Sequence, residues 1–264
     1  MKTISFIIPV YNEENRLYKT QEALMKLKLP RELKLEEIIF VDDGSTDKTV
    51  KAIRYFVHIM KKYNIQKGTK YRVIKYKENQ GKGYAIRRGM LAARSDYALF
   101  FDADMSTPLK ELNHFLPLIK DDVDVIIGTR KHRLSNVVRS QSMLRAKLGQ
   151  GFTLLTGTVL SMNLTDYTCG FKAFGRNARL NIFADCQINR WAFDAEILYL
   201  AHKYGFSVAE VPVVWKNDEF TKVKLHKDVY LTLVDLSRII SLHRVAPVFA
   251  PLKRQLALQL NPSR

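Results

Sequence analysis

Apolar and polar positions fall in blocks along the chain, and the blocks switch between two periods. Ile4-Ser-Phe-Ile-Ile-Pro-Val10 is a short apolar run, and after it Leu17, Ala23, Leu24 and Leu27 recur at helical spacing. Leu35 to Val41 is a second apolar run, followed by a helix-period stretch to about Tyr63. Tyr71 to Tyr76 is a third, followed by a helix ending near Arg94. The fourth run, Tyr97-Ala-Leu-Phe-Phe101, has no polar interruption, which predicts a strand buried on both faces. Pro108 then opens a helix through Leu118, and Val123 to Thr129 is another buried strand. Strand and helix in alternation predict an α/β fold, a doubly wound and mostly parallel sheet flanked by helices.

The rhythm changes after Arg130. Arg139 to Leu160 reads as one long helical segment, Asp166 to Phe174 as a loop or hairpin without clean alternation, and Trp191 to Tyr204 as a helix. Ser207 to Trp215 reads as a strand interrupted by Pro212, and a proline there predicts an edge position. From Val229 onward Tyr230, Leu231, Leu233, Val234, Leu236, Ile239, Ile240 and Leu242 cover a wide apolar face, with Lys224, Lys227, Arg238 and Arg244 around it. Two readings stand for this segment: a terminal helix packed on its own core, or an amphipathic helix lying in a membrane interface. The chain therefore divides into a main domain, 1–228, and a helical appendage with a tail, 229–264.

Charge narrows the partners. Among 264 residues, 43 Lys and Arg face 26 Asp and Glu, a net charge of +17, which points to a polyanion: nucleic acid, anionic lipid or a phosphorylated substrate. Zinc-finger spacing, an aromatic RNA-binding strand and a basic zipper are all missing, so nucleic acid is not the expected partner. The two cysteines, Cys169 and Cys186, form no disulfide framework. Ile4 to Val10 is too short for a signal peptide, which predicts a cytoplasmic setting. No run of about 18 apolar residues could span a bilayer, so membrane association is expected to be peripheral.

The candidate chemistry sits where strands end. Glu13 follows the first strand, Asp42 and Asp43 the second, and Asp102-Ala103-Asp104 the fourth. In an open α/β sheet the carboxyl edge is where ligands bind. Paired hard-oxygen ligands there suit Mg²⁺ or Mn²⁺ shared with a diphosphate. Gly81-Lys82-Gly83 precedes a helix but matches neither the phosphate-loop nor the dinucleotide fingerprint.

Taken in order, Ile8-Pro-Val-Tyr-Asn-Glu13, Val41-Asp-Asp-Gly-Ser-Thr-Asp47, Asn79-Gln-Gly-Lys-Gly83 and Asp102-Ala-Asp104 resemble the inverting family 2 glycosyltransferases of the GT-A fold. Asp166-Tyr-Thr-Cys-Gly-Phe-Lys172, Arg190-Trp-Ala-Phe-Asp-Ala-Glu196 and Glu210-Val-Pro-Val-Val-Trp215 are similar to the branch that makes dolichyl- or polyprenyl-phosphate sugars, especially the dolichyl-phosphate β-glucosyltransferases.

The resemblance implies transfer of a hexose, glucose from UDP-glucose first, to dolichyl or polyprenyl phosphate with inversion at an anionic membrane surface. GDP-mannose as donor, a glycan hydroxyl as acceptor, and a basic nucleic-acid-binding protein are the competing readings. By position, the resemblance puts Pro9, Val10, Tyr11, Asn12, Glu13, Asp42 and Asp43 around the nucleotide. Gly81, Lys82, Gly83, Asp102, Ala103, Asp104, Arg130 and Lys222 complete the donor site. Asp102 and Asp104 would bind Mg²⁺ or Mn²⁺ and, with Lys222, act in catalysis. Where related mannosyl enzymes have a metal-binding glutamine two places after the second aspartate, this chain has Ser106. Arg145, Arg139, Asp194 and Trp191 would serve the acceptor. A lipid phosphate is already ionised, so this chemistry requires no strong general base.

Overall fold

The computed structural model describes residues 1–63, 65–139, 143–190, 192–217 and 225–244. Its first half runs β1 (Lys2–Val10), α1 (Leu17–Lys26), β2 (Leu33–Asp42), α2 (Thr49–Lys62), β3 (Lys70–Lys75), α3 (Lys82–Ala92) and β4 (Tyr97–Phe101). A 3-10 turn (Leu109–Glu111) leads into α4 (Leu112–Lys120) and β5 (Val125–Thr129). The second half continues with β6 (Asn136–Arg139), α5 (Met143–Leu160), β7 (Phe171–Gly175), α6 (Arg176–Asp185), α7 (Phe193–Lys203), β8 (Val208–Pro212), β9 (Val214–Lys216) and α8 (Leu225–Arg244).

Seven strands form one sheet in the order β3-β2-β1-β4-β7-β5-β8, and β6 pairs with β9 separately. β3, β2, β1 and β4 are parallel, with Val10 opposite Asp42 and Ile7 opposite Phe100, so their carboxyl ends share one edge. β7 runs antiparallel to both neighbours, and β5 and β8 are parallel to each other. Pro212 closes the edge strand β8 opposite Thr129, as its missing N–H requires.

The period-2 alternation of the strands feeds two apolar layers. Ile7, Ile39, Val41, Ala98 and Phe100 face α3, α6 and α7 on one side. Phe6, Ile8, Ile38, Phe40, Leu99 and Phe101 face α1, α2 and α4 on the other. Each of these side chains except Ala98 contributes about 1.5–3 kcal/mol through burial. Gly89 lets α3 lie against β1, because a Cβ there would stand 2.3 Å from Ile7 Cγ2.

Three elements differ from the sequence reading: β7, α6 and the short strand β6, whose last residue, Arg139, the pattern assigns to a long helix. The Asp166–Phe174 stretch contains a central strand, β7, whose first four residues are all buried. Its apolar run is hidden by Lys172, a lysine at 0% exposure that is neutralised by Asp194. The helix α6 was also not foreseen, because Arg176, Asn177, Arg179 and Asn181 break its apolar face. Arg179 is nevertheless buried, donating from Nη1 to the Met90 carbonyl.

α8 packs its inner stripe on the core. Leu236 and Ile239 join the cluster that contains α7, and Ile240 and Leu242 lie against it, while Leu233 and Val234 are exposed. Among the described residues no helix is long and apolar enough to cross a membrane.

Candidate active site at the carboxyl edge of the sheet

The loops after β1 and β2 are laced together. Asn12 takes a left-handed backbone (φ 51°), which a short polar side chain tolerates, and this turns the chain back over the second loop. Its N–H donates to Ser45 Oγ at 2.9 Å, and its Oδ1 accepts the Thr46 N–H at 2.9 Å. The Glu13 N–H donates to Thr49 Oγ1 at 2.7 Å. The Glu13 carboxylate accepts both Nε and Nη2 of Arg16, at 2.7 and 2.6 Å, so it is held as an i,i+3 ion pair at the rim. Beside these, Val10 is buried, Pro9 half-buried and Tyr11 exposed.

Asp42 and Asp43 divide the labour. Asp43 accepts Asn79 Nδ2 at 2.7 Å, the Gln80 N–H at 2.8 Å and the Gly81 N–H at 3.0 Å, so it organises the loop before α3. Burial pushes its carboxyl up even against those donors. Asp42 is fully buried and accepts only the Ser45 N–H, at 3.2 Å, while its Oδ2 has no hydrogen-bond partner among the described residues. An orphaned buried carboxylate oxygen costs about 1–3 kcal/mol or more, which makes Asp42 an acceptor waiting for a donor.

Gly81 is required by geometry. Its φ of 109° lies in the region L side chains avoid, and a Cβ would stand 2.4 Å from the Asn189 carbonyl oxygen. At Gly83 a Cβ would meet Phe193 Cβ at 2.6 Å and the Ile188 carbonyl oxygen at 2.7 Å. Between them Lys82 reaches across the edge to Asp102 Oδ1 at 2.6 Å.

The Asp102-Ala103-Asp104 turn is anchored from both sides. Thr20 Oγ1 of α1 donates to the Ala103 carbonyl at 2.6 Å, and Asp104 Oδ1 accepts the Ser106 N–H at 2.9 Å. Behind it Gly170 makes room, since a Cβ there would sit 2.1 Å from Asp102 Oδ2. Beneath lies Asp194, ion-paired with the buried Lys172.

Three carboxylates, Asp102, Asp104 and Asp194, thus meet two ammonium groups. Burial and then Asp102 raise the Asp104 carboxyl. Burial raises Asp194, opposed by Lys172 and Lys82. For Lys82, burial opposes the charge, but Asp102, Asp194 and Asp104 together outweigh it and hold the ammonium above the ordinary lysine range. With all five groups ionised the cluster keeps one excess negative charge, and a cation beside Asp104 would offset both its burial and the nearby Asp102. Among the described residues no ready cage of three or more His, Cys, Asp or Glu exists.

Arg130, at the end of β5, is held by Asp166. Its Nε donates to Oδ2 at 2.7 Å and its Nη2 to Oδ1 at 2.8 Å, with Thr168 Oγ1 at 2.8 Å, and the guanidinium lies 5.3 Å from the Trp215 ring centroid. Burial opposes ionisation of Asp166, yet Arg130 beside it holds the carboxyl well below its ordinary value. The neighbouring Lys131 ties this loop to α5 through the Gly149 carbonyl at 2.9 Å.

The edge therefore brings together Glu13, Asp42, Asp43, Gly81, Lys82, Gly83, Asp102, Ala103, Asp104 and Asp194. Lys222 and Trp191 lie outside the described residues, as do the side chains of Arg139 and Arg145, whose backbones belong to β6 and α5. Sequence reasoning assigned no role to Lys172, Gly170 or Asp166. The available signal was a lysine inside the apolar run Phe171-Lys-Ala-Phe174, since buried lysines are rare unless paired.

The Glycosyl transferase family 2 pattern matches residues 5–183. A dolichyl-phosphate beta-glucosyltransferase of Dictyostelium discoideum is 37% identical over 242 residues, covering 86% of this chain and 72% of the relative. One from Saccharomyces cerevisiae is 33% identical over 261 residues, covering 91% of this chain and 76% of the relative. Among solved structures, glucosyl-3-phosphoglycerate synthase of Mycobacterium tuberculosis, crystallised with Mn²⁺, UDP and glucosyl-3-phosphoglycerate, superposes with a TM-score of 0.63 at 15% identity, over 91% of this chain and 80% of that one. Mannosyl-3-phosphoglycerate synthase of Rubrobacter xylanophilus gives a TM-score of 0.65 at 17% identity, over 94% and 77%. The chain belongs to glycosyltransferase family 2, is a glycosyltransferase, and groups within the family with the dolichyl-phosphate β-glucosyltransferases.

Proposed function

We propose that this glycosyltransferase moves glucose from UDP-glucose to dolichyl or polyprenyl phosphate with inversion. The observation that carries the reading is the acid-rich edge with its net negative cluster, in a chain whose relatives of 33% and 37% identity are named dolichyl-phosphate beta-glucosyltransferases. The buried Asp42 Oδ2 suits an N–H or O–H donor of the nucleoside, with Pro9, Val10, Tyr11, Asn12, Glu13 and Asp43 around it.

Asp102 and Asp104 fit a divalent metal. They offer hard oxygens one residue apart, only Asp102 is paired with an ammonium, and they leave most coordination positions to phosphate and water, as Mg²⁺ or Mn²⁺ prefers. A bound ion would supply Lewis-acid stabilisation of the departing diphosphate. Solved neighbours of the same fold were crystallised with Mn²⁺ or Mg²⁺ and UDP.

The step balances simply. An oxygen of the acceptor phosphate forms a bond to C1 of glucose, the bond from C1 to the diphosphate oxygen breaks, and the electron pair leaves on UDP. No proton is abstracted, which frees Asp194 to neutralise Lys172 and orient Lys82 instead of serving as a base. Lys82, Arg130 and Lys222 supply positive charge toward the donor phosphates. Arg145, with Arg139 and Trp191, would receive the acceptor phosphate on the opposite face of the sugar.

The acceptor's prenyl chain stays in the bilayer, so the enzyme must come to the membrane. The exposed Leu134, Val138 and Leu154, each more than 60% accessible, and the outer Leu233 and Val234 of α8 suit a peripheral contact. The segment 229–264 is the proposed appendage there, on the cytoplasmic face, with the net charge of +17 favouring anionic lipid. The test is label transfer from UDP-glucose, GDP-mannose and UDP-N-acetylglucosamine to a short polyprenyl phosphate and to a sugar hydroxyl acceptor. UDP-glucose with the lipid phosphate is expected to dominate, and a preference for GDP-mannose or the hydroxyl acceptor overturns the reading.

A further inference from the structure

The loop that carries Gly81 does not stand alone; it rests on residues 187–190. Tyr84 N–H donates to the Asn189 carbonyl at 3.2 Å, and the two glycine approaches described above bring Asn189 and Ile188 into direct contact with the start of α3. The 187–190 segment has no strand or helix of its own to fix it. Besides the burial of Ile188, a clamp from one side chain holds it: Glu196, fully buried in the first turn of α7, accepts the Gln187 N–H on Oε1 at 2.9 Å and the Ile188 N–H on Oε2 at 2.8 Å. The same Oε1 accepts from His243 Nε2 of α8 at 2.8 Å, and His243 is itself 5% exposed. A carboxylate only accepts, so Nε2 carries the proton. Lys203 of α7 donates to the His243 carbonyl, fixing the helix end that presents the ring.

We propose that Glu196 and His243 are positioning residues for the nucleotide-sugar donor, coupling the seating of α8 to the shape of the Gly81 loop. The inference rests on the donor reading above. His243 aligns Glu196, Glu196 fixes the 187–188 backbone, Asn189 supports the start of α3, and the Gln80 and Gly81 N–H groups are thereby set against Asp43. Neither Glu196 nor His243 itself contacts the Asp102–Asp104 turn; the relay approaches it only through Lys82, at the start of α3. Loosening the relay therefore changes how well the donor is held, while chemistry on the bound donor is preserved.

Glu196→Gln tests the clamp, since an amide has one acceptor oxygen for two N–H groups. His243→Phe keeps the ring volume and removes the donor, and His243→Gln restores an N–H near the Nε2 position. Full-length proteins are compared by titration calorimetry with UDP and Mn²⁺, by steady-state transfer and by melting. In Glu196→Gln and His243→Phe the UDP affinity and the KM for UDP-glucose are expected to worsen roughly fivefold or more. The kcat and the KM for the lipid phosphate stay within about twofold, and His243→Gln recovers donor affinity. Unchanged UDP affinity in both variants, or a loss of melting temperature and active fraction with donor KM intact, overturns the proposal. If the unaltered protein binds no UDP, the donor reading itself fails and the inference falls with it.

Discussion

The two halves of the sheet hold their charged side chains by different means. In the half built from β1 to β4, acids sit on loops that are neighbours because their strands are parallel and adjacent. Many of the contacts there are to backbone N–H groups and short side chains in the next loop, as with Asp43 on Gln80 and Gly81 or Asn12 on Ser45 and Thr46, with Arg16 on Glu13 and Lys82 on Asp102 adding charge pairs. In the half built from β5 to α8, the fixed points are long-range pairs of ionisable side chains. Arg130 and Asp166 are 36 residues apart, Lys172 and Asp194 22, and Glu196 and His243 47. The first half is set by topology and the second by which acid neutralises which base.

The sharpest way to separate the halves is to remove charge from each. Asp104→Asn takes away a carboxylate from a strand-end turn outside the core, so transfer is expected to fall by about 10²–10³-fold while melting stays near that of the unaltered protein. Turnover close to the unaltered level in Mg²⁺ or Mn²⁺ would remove Asp104 from the donor site.

Lys172→Met does the opposite. It leaves Asp194 buried without its partner, so chemical denaturation is expected to show a loss of about 3–5 kcal/mol before any kinetic effect is isolated. A variant as stable as the parent would show that the pair adds nothing to the second half.

Arg145→Ala sharpens the contrast within the catalytic cycle. Removing a charge-assisted phosphate contact is expected to cost about 1.5–3 kcal/mol in apparent affinity for the lipid acceptor. The KM for UDP-glucose should hold. Equal losses on both substrates would show that the donor and acceptor halves have been assigned wrongly.

The smallest effect is on acid stability. Asp166 has a folded-state proton affinity below its ordinary value of 3.8, so its pairing with Arg130 stabilises the fold fully above about pH 4. That contribution is lost as pH falls from there through the lower folded value. Asp166→Asn should therefore destabilise the protein at neutral pH and flatten the acid limb of melting temperature against pH. An unchanged acid limb would show that Arg130 does not depend on Asp166.

The same contrast explains how much was legible in the sequence. Glu13, Asp42, Asp43 and Asp102 to Asp104 could be assigned to one crevice because an apolar run ending in an acid locates a strand end, and alternation with helices fixes the strands as parallel. Pro212 likewise announced an edge. β7 was illegible because Lys172 interrupts its apolar pattern, and only the distant Asp194 makes that burial possible. The ion pair of Arg130 with Asp166, 36 residues away, was likewise illegible, because nothing local to Arg130 reveals its partner. For α8 the apolar residues were visible, but not that Leu236 and Ile239 enter the core while Leu233 and Val234 remain outside.

The most direct test of the account is the product itself. UDP-glucose labelled in the sugar, incubated with polyprenyl phosphate and the full-length protein, should yield label in a lipid-linked phosphodiester whose anomeric signals are β, with Asp104→Asn yielding almost none. Label appearing in an α-linked product, on a sugar hydroxyl or only as free glucose would contradict direct inverting transfer to the lipid phosphate.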